Sequence, residues 1–442
     1  MSVPDPAELA GSLCAFLDAS PSPFHAVATA AAQLSGSGFV EVDEADSTPT
    51  APGRYLLRRG GSLLAWVQPG AGWSRTPDPP ATTFRVVTGH TDSPNLRIKP
   101  RPDQSVAGWQ GLGVEVYGGP LLSSWLDRDL GLSGRAVLRT DRGTAAQHIL
   151  FHLDDPLLRV SQLAIHLDRD STREGLKLNP ARHLAPHWGL GDEPGDFHGY
   201  LADRLGVAPQ DLLAWEAMAH DLTPARRIGR DRDLVASARL DNQATCHAAV
   251  QALLRSVPGA HDGQGPVPVV VLFDHEEVGS TTASGAQSSL LPTWLERIVL
   301  AGGGSRETYA RAMAGTVVAS ADMAHATHPN YPERHDALHP VAMNGGPVLK
   351  VNAQARYATD AVGTAAFRLA CEQAGVPLQV FVNRTDLPCG STVGPFTAAA
   401  TGASTVDVGA ATLSMHSARE VCGVADHAAY VAALAAFLAP TA

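Results

Sequence analysis

The sequence is short of positive charge: 33 Lys and Arg stand against 44 Asp and Glu, a formal net charge of −11. A general nucleic-acid binder needs a basic surface for phosphate contacts, and an anionic membrane surface makes the same demand, so neither is expected as a partner. Long apolar runs are missing too. No window offers the roughly 18 uninterrupted apolar residues of a membrane span. The opening MSVPDPAELAGSLCAF has neither the basic start nor the apolar stretch of a secretory signal. The five cysteines, Cys14, Cys246, Cys371, Cys389 and Cys422, are odd in number and scattered, without CxxC spacing or a disulfide rhythm. That usage fits a reducing compartment, and the expected localisation is cytoplasmic. Internal repeats and low-complexity tracts are absent.

What is present is an α/β texture. The 442 residues suffice for two or three domains, or for one large α/β unit with an insertion. Residues 6–34 read as helix broken at Pro21-Ser22-Pro23. RYLLRR-GG-SLLAWVQ (54–68) reads as a hairpin, with Gly60-Gly61 supplying positive φ. FRVVTGHTD (84–92) is a short apolar strand ending in polar groups. Between about 99 and 231 the texture changes: GVEVYGG, RAVLRT and HILFHL are strand-like, Asp141-Arg142-Gly143 makes a turn, and DLLAWEAMAH (211–220) reads as helical. After Leu240 strands and helices alternate again: a helix from Asp241, then VPVVVLF, GTVVASAD, LQVFVNR, STVDVG and the closing helix YVAALAAFL. Such alternation predicts an α/β fold with a mostly parallel sheet flanked by helices. The expected division is a catalytic domain of residues 1–98 and 232–442 carrying an inserted, partly β domain of residues 99–231.

Chemistry concentrates where strands end. In open α/β sheets, ligands gather outside the carboxyl ends of the strands. VPVVVLFDHEEVGS (267–280) runs a buried valine strand into Asp274, His275, Glu276 and Glu277. Adjacent carboxylates at the mouth of a core strand repel unless something positive lies between them. The other ends supply His90 and Asp92, Asp241 at a helix start, Asp322, and His416 in a later loop. Each is weak alone; an Asp opening a helix more often caps it. Their weight lies in their agreement. Nitrogen and oxygen ligands of this kind suit two zinc ions, with manganese or cobalt as competitors. A shared carboxylate is the usual two-metal arrangement. On this reading Asp241 bridges, His90 and Asp322 hold one ion, and Glu277 and His416 hold the other. Asp92 fixes the His90 tautomer, and Glu276 faces a bridging water as general base.

These residues, with FLDASPSPFHAV (16–27), GHTDSPNLRIKP (89–100), AIHLDR (164–169), ARLDNQ (238–243), FDHEEVGS (273–280), SADMAHATHPNY (320–331), GGPVLKVNAQARYA (345–358), LPCGSTVGP (387–395) and SMHSARE (414–420), resemble the aspartyl aminopeptidases, cytosolic dinuclear zinc peptidases. The resemblance spans nearly the whole chain and implies a zinc-peptidase-like fold. It also implies metal ligation by His90, Asp241, Glu277, Asp322 and His416, with Glu276 as base and His325 as a support to the ligands. It further implies a cis peptide after Asp241, dimerisation through the inserted domain within dodecamers, and a His166 that reaches a neighbouring subunit's site. The implied activity is release of N-terminal Asp or Glu from peptides, with Lys350 pairing with the acidic side chain. Pro120 departs from the pattern, standing where many relatives carry a third glycine after Gly118-Gly119. Two alternatives stand beside this reading. One is another dinuclear hydrolase, whether a neutral aminopeptidase, a carboxypeptidase or a deacetylase. The other is a non-catalytic shell, for which a spare Glu276 carboxylate has no use.

Overall fold

A computed structural model describes residues 3–68, 83–140, 146–256 and 265–441. The turn expected at Asp141-Arg142-Gly143 lies outside the described residues. Among the described residues the centre of the molecule is a nine-stranded sheet. Its spatial order is Val40–Glu41, Gly53–Arg59, Ser62–Gln68, Val267–Phe273, Phe84–His90, Val317–Ala321, Ser404–Gly409, Val348–Val351, Gln379–Val382. Five of its eight junctions are parallel and three antiparallel. The mostly parallel α/β sheet expected from the alternating pattern is therefore present.

All seven residues of Val267–Phe273 are buried, and side chains of a strand alternate between faces. Val270 and Leu272 pack with the helices Pro6–Asp18, Pro23–Gly36, Leu240–Ser256, Ala361–Ala374 and Val424–Leu438. Val267, Val269, Val271 and Phe273 pack on the opposite side with the helix Leu290–Ala301, where Trp66 and Trp294 meet at 5.5 Å between ring centroids. Coverage on both faces is why this strand reads as an unbroken apolar run. Trimming one of its larger side chains to Ala should cost about 2–4 kcal/mol.

The hairpin forms between Gly53–Arg59 and Ser62–Gln68. Only Gly60 takes a positive φ, 60°. Gly61 is needed for room instead, since a Cβ there would collide with the Asp274 carboxylate. A second, six-stranded sheet is ordered Ala146–Leu158, Leu130–Arg139, Leu212–Asp221, Asn95–Val106, Trp109–Tyr117, His187–Leu190. It corrects one expectation: 211–220 is not helical. Its Leu, Ala, Glu and Met favour helix locally, but the strand Leu212–Asp221 is paired along most of its length to Leu130–Arg139 and joined on its other side to Asn95–Val106. Tertiary pairing overrides a weak propensity. A third, five-stranded sheet joins Arg226–Ile228, Leu234–Ser237, Glu420–Gly423, Ala411–Leu413 and Ala324–His325, bringing the loop that carries His416 beside the strand ends of the main sheet.

Candidate metal centre and active site

The strands Phe84–His90 and Val267–Phe273 run parallel and in register, so His90 lies beside Phe273 and the acidic turn that follows. The next strand, Val317–Ala321, delivers Asp322. The helix Leu240–Ser256 begins irregularly, with Asp241 at non-helical dihedrals and a cis Asp241–Asn242 peptide, as the resemblance implied. Two non-glycine residues at the rim adopt left-handed backbone: His275 at φ 64° and His416 at φ 67°. Such conformations cost about 1–3 kcal/mol each and cluster at functional sites.

The side chains of His90, Asp241, Glu276, Glu277, Asp322 and His416 converge on one cavity of about 320 Å³. His90 Nε2 lies 3.4 Å from Asp241 Oδ1, 3.6 Å from Asp322 Oδ1 and 3.9 Å from Glu276 Oε2. His416 Nε2 lies 3.5 Å from Asp241 Oδ2 and 3.5 Å from Glu277 Oε1. Asp241 thus turns one oxygen toward each imidazole. Ligand atoms bonded at about 2.0–2.2 Å to one tetrahedral ion stand about 3.3–3.5 Å apart. The spacings between the assigned ligands, 3.4 to 3.6 Å, lie close to that edge and exceed an ordinary hydrogen bond.

A second observation concerns the oxygens themselves. Asp241 Oδ1, Glu277 Oε1 and Asp322 Oδ1 are buried without a hydrogen-bond partner. Leaving charged oxygens buried and unpaired is costly unless a cation completes them. The protonation balance agrees. Burial lowers the charge affinity of the His90 ring, but Asp241, Asp322 and Asp92 outweigh it and raise its pKa well above the usual 6.5. His416 is opposed by burial too, yet Asp241 and Glu277 lift it to about 10. Burial, with Asp322, Asp92 and Asp241 nearby, raises Glu276 to about 8; burial and Asp241 raise Glu277 well above its ordinary value. The cluster is a concentrated negative charge that a cation would balance, and its donor set of imidazole and carboxylate suits zinc.

Asp92 sits where expected but does more than expected. His90 Nδ1 lies 3.0 Å from the Asp92 backbone carbonyl and only 3.4 Å from its carboxylate. The carboxylate itself accepts from the backbone N–H of Glu276 (3.1 Å), the N–H of Glu277 (3.1 Å) and the Tyr117 hydroxyl (2.6 Å). Burial opposes its charge, but His90 and these donors hold its pKa below the ordinary value. It therefore fixes the turn bearing both glutamates. Sequence reasoning assigned no role to Glu420. Buried to 1 % exposure, it accepts from the backbone N–H of Asp241 (2.9 Å) and of His416 (2.7 Å). Its position four residues after His416 was the available signal.

Lys350 is 2 % exposed, with Nζ 3.5 Å from Asp322 Oδ2, 3.2 Å from the Met323 carbonyl and 5.2 Å from the centre of the Tyr357 ring. It lines the same cavity, as do His325 and Tyr357. His166 is not brought together with them. It lies exposed in a turn of the 164–168 segment and does not line this cavity.

Comparison with known proteins places this geometry. Residues 16–438 match the family model described as Aminopeptidase I zinc metalloprotease (M18). A probable M18 family aminopeptidase 2 of Mycobacterium tuberculosis is 54% identical over 436 residues, covering 98% of each chain. Among solved structures, the cryo-EM structure of the Ape4 and Nbr1 complex matches with a TM-score of 0.91 at 35% identity, covering 98% of this chain and 86% of that one. A dodecamer of mApe1 from S. cerevisiae matches with a TM-score of 0.83 at 25% identity, covering 97% and 96%. The chain belongs to the Aminopeptidase I zinc metalloprotease (M18) family and is a metallo-aminopeptidase.

Proposed function

We propose that this aminopeptidase releases single N-terminal Asp or Glu residues from peptides, at a site holding two zinc ions per subunit. The observation that carries the two-metal reading is Asp241, whose two oxygens face His90 and His416 at 3.4 and 3.5 Å. His90 and Asp322 would hold one ion, and Glu277 and His416 the other. Manganese or cobalt would fit the same donors. Bound there, the ions supply Lewis acidity to the scissile carbonyl and lower the pKa of the attacking water.

The protein's own groups do the rest. Glu276 is not needed as a ligand in this scheme and lies within the same cavity, so it takes the proton from water and returns it to the leaving amine. Asp92 holds the backbone of Glu276 and Glu277 in place. Glu420 holds the backbone of Asp241 and His416, and His325 stands beside the ligands. Lys350 supplies the positive charge that an acidic N-terminal side chain would meet. The net charge of −11 does not cancel it, because salt confines the field of distant charges to about 8 Å. Its ammonium already neutralises one Asp322 oxygen, so substrate and Asp322 would share it. We further propose that residues 99–231 form the dimerisation section. The dodecameric mApe1 neighbour supports assembly of such dimers into a dodecamer, where the exposed His166 would complete another subunit's site. The cytoplasm is the proposed location.

The Lys350→Ala variant tests the specificity. A charge pair about 4 Å apart at an effective dielectric of 20 is worth up to about 4 kcal/mol, so kcat/KM for Asp- and Glu-terminated substrates should fall on the order of 100-fold or more. Neutral substrates should change far less. An equal fall for both would leave a metallo-aminopeptidase without acidic selectivity.

A further inference from the structure

Apart from the catalytic cavity, the described residues contain one other group of close metal-type donors: His152, Asp154 and His220, each offering a ligand atom within 4.8 Å of the others. We propose that these three residues bind an additional divalent zinc-like ion, which ties the strands Ala146–Leu158 and Leu212–Asp221 of the six-stranded sheet together across the strand between them.

The placement follows from strand geometry. His152 and Asp154 are two apart on the strand Ala146–Leu158 and so share a face. His220 is on Leu212–Asp221, with the strand Leu130–Arg139 between them. His152 is registered against Ser133, and His220 against Gly131. A side chain at the intervening Gly131 would close the path, because a Cβ there would stand 2.8 Å from His220 Nε2. The missing side chain lets the His220 ring reach toward Asp154 across the middle strand. The donor atoms are then close: His152 Nε2 is 2.5 Å and His220 Nε2 3.7 Å from the same Asp154 oxygen. The 3.7 Å spacing is near the edge of about 3.3 Å expected around a tetrahedral zinc, whereas the 2.5 Å contact is a direct His152–Asp154 hydrogen bond that the ion would replace.

The independent observation that points to a ligand is His220 itself. It is 4 % exposed, and neither ring nitrogen has a hydrogen-bond partner. Buried polar nitrogens are nearly always paired, so two orphans on one ring need an explanation. Zinc is bound by the neutral imidazole. Burial, with Arg239 nearby, holds His220 well below its usual pKa, and burial also lowers His152. The adjoining surface cavity is lined by the carboxylates of Asp18, Asp154 and Asp221 against the guanidinium of Arg239. That guanidinium is turned to the carbonyls of Ser20 (3.1 Å) and Leu17 (3.2 Å). Asp154 is open to solvent, its side chain 73% exposed, which gives an ion an entry path and a water as its fourth ligand. The same face meets the catalytic domain, where Ser133 Oγ donates to the Pro21 carbonyl at 3.2 Å.

The test is a metal count on the full-length assembled protein, equilibrated with excess zinc, desalted and analysed by mass spectrometry of the metal. The wild type should retain one zinc per subunit more than His152→Gln and one more than Asp154→Asn. Both altered residues are partly or largely exposed, so the variants should fold, and both should keep peptidase turnover within about twofold of wild type. A cobalt titration followed by visible absorption should lose one equivalent of tetrahedral signal in the same variants. Equal zinc counts in wild type and variants would overturn the proposal.

Discussion

Asp92→Asn is the perturbation that most sharply separates positioning from ligation. The Asp92 carboxylate accepts three hydrogen bonds at 0 % exposure: two from the backbone of Glu276 and Glu277, one from Tyr117. An amide of the same shape keeps one acceptor oxygen and places an NH2 opposite one of the two backbone donors. Whichever way the amide turns, one buried N–H is left facing a donor. An unsatisfied buried donor costs about 1–3 kcal/mol, and the surviving bonds lose the charge that roughly doubles their strength. That penalty falls on the arrangement in which both glutamates enter the cavity. At 1.4 kcal/mol per decade, its population should fall by about 10- to 100-fold. The assay is kcat/KM on an acid-terminated substrate at saturating zinc, with Tyr117→Phe as a milder companion because Asp92 then keeps both backbone donors. Activity of Asp92→Asn within twofold of wild type would refute the reasoning.

Three further outcomes are expected. Glu276→Gln should keep its full metal content while losing about 100- to 10,000-fold in turnover, the usual scale of general acid–base catalysis; undiminished turnover would remove Glu276 as base. In Gly409→Ala, the new Cβ would overlap the Asp322 backbone carbonyl. Overpacking of about 1–3 kcal/mol should then displace Asp322 and weaken zinc retention on the order of tenfold or more, read by chelator competition. His427, 1 % exposed and 2.8 Å from His247, is held by burial at about 4 against 6.5 in a free chain. The folded value is the lower one, so the unfolded chain takes up the proton first. Stability therefore falls as pH drops from 6.5 toward 4, by roughly 1.4 kcal/mol per pH unit for this group. The difference in melting temperature between wild type and His427→Asn should shrink as pH falls from 6.5 toward 4, since the variant lacks this one contribution; a pH-independent difference would contradict it.

The site was legible because its chemistry sits at the ends of strands whose apolar runs are unmistakable. Val267–Phe273 could be read as a core strand from its valines, and the four titratable residues after it then had to lie at the sheet's carboxyl edge. The same logic placed His90 and Asp322. What stayed hidden depends on contacts distant in sequence. Residues 211–220 carry a helical composition, and nothing local reveals that they pair with residues 130–138. Glu420 drew no role from the sequence, because its partners, the backbone of Asp241 and of His416, are peptide groups that leave no mark in composition. Asp92 was read as a partner of the His90 ring, but the chief partners of its carboxylate are the Glu276 and Glu277 amides, more than 180 residues away. Lys350 could have been a surface residue on a short strand. Its burial follows from the register that sets it against Asp407 in the antiparallel neighbour.

The most direct test of the account is hydrolysis of matched Asp-, Glu-, Leu- and Lys-amide substrates by the assembled protein, before chelation, after it, and after zinc is returned. The account predicts preferential release of Asp and Glu, loss of all activity on chelation, and recovery with zinc at about two ions per catalytic site. Activity that survives complete metal removal, or release of Leu and Lys as fast as Asp and Glu, would contradict it.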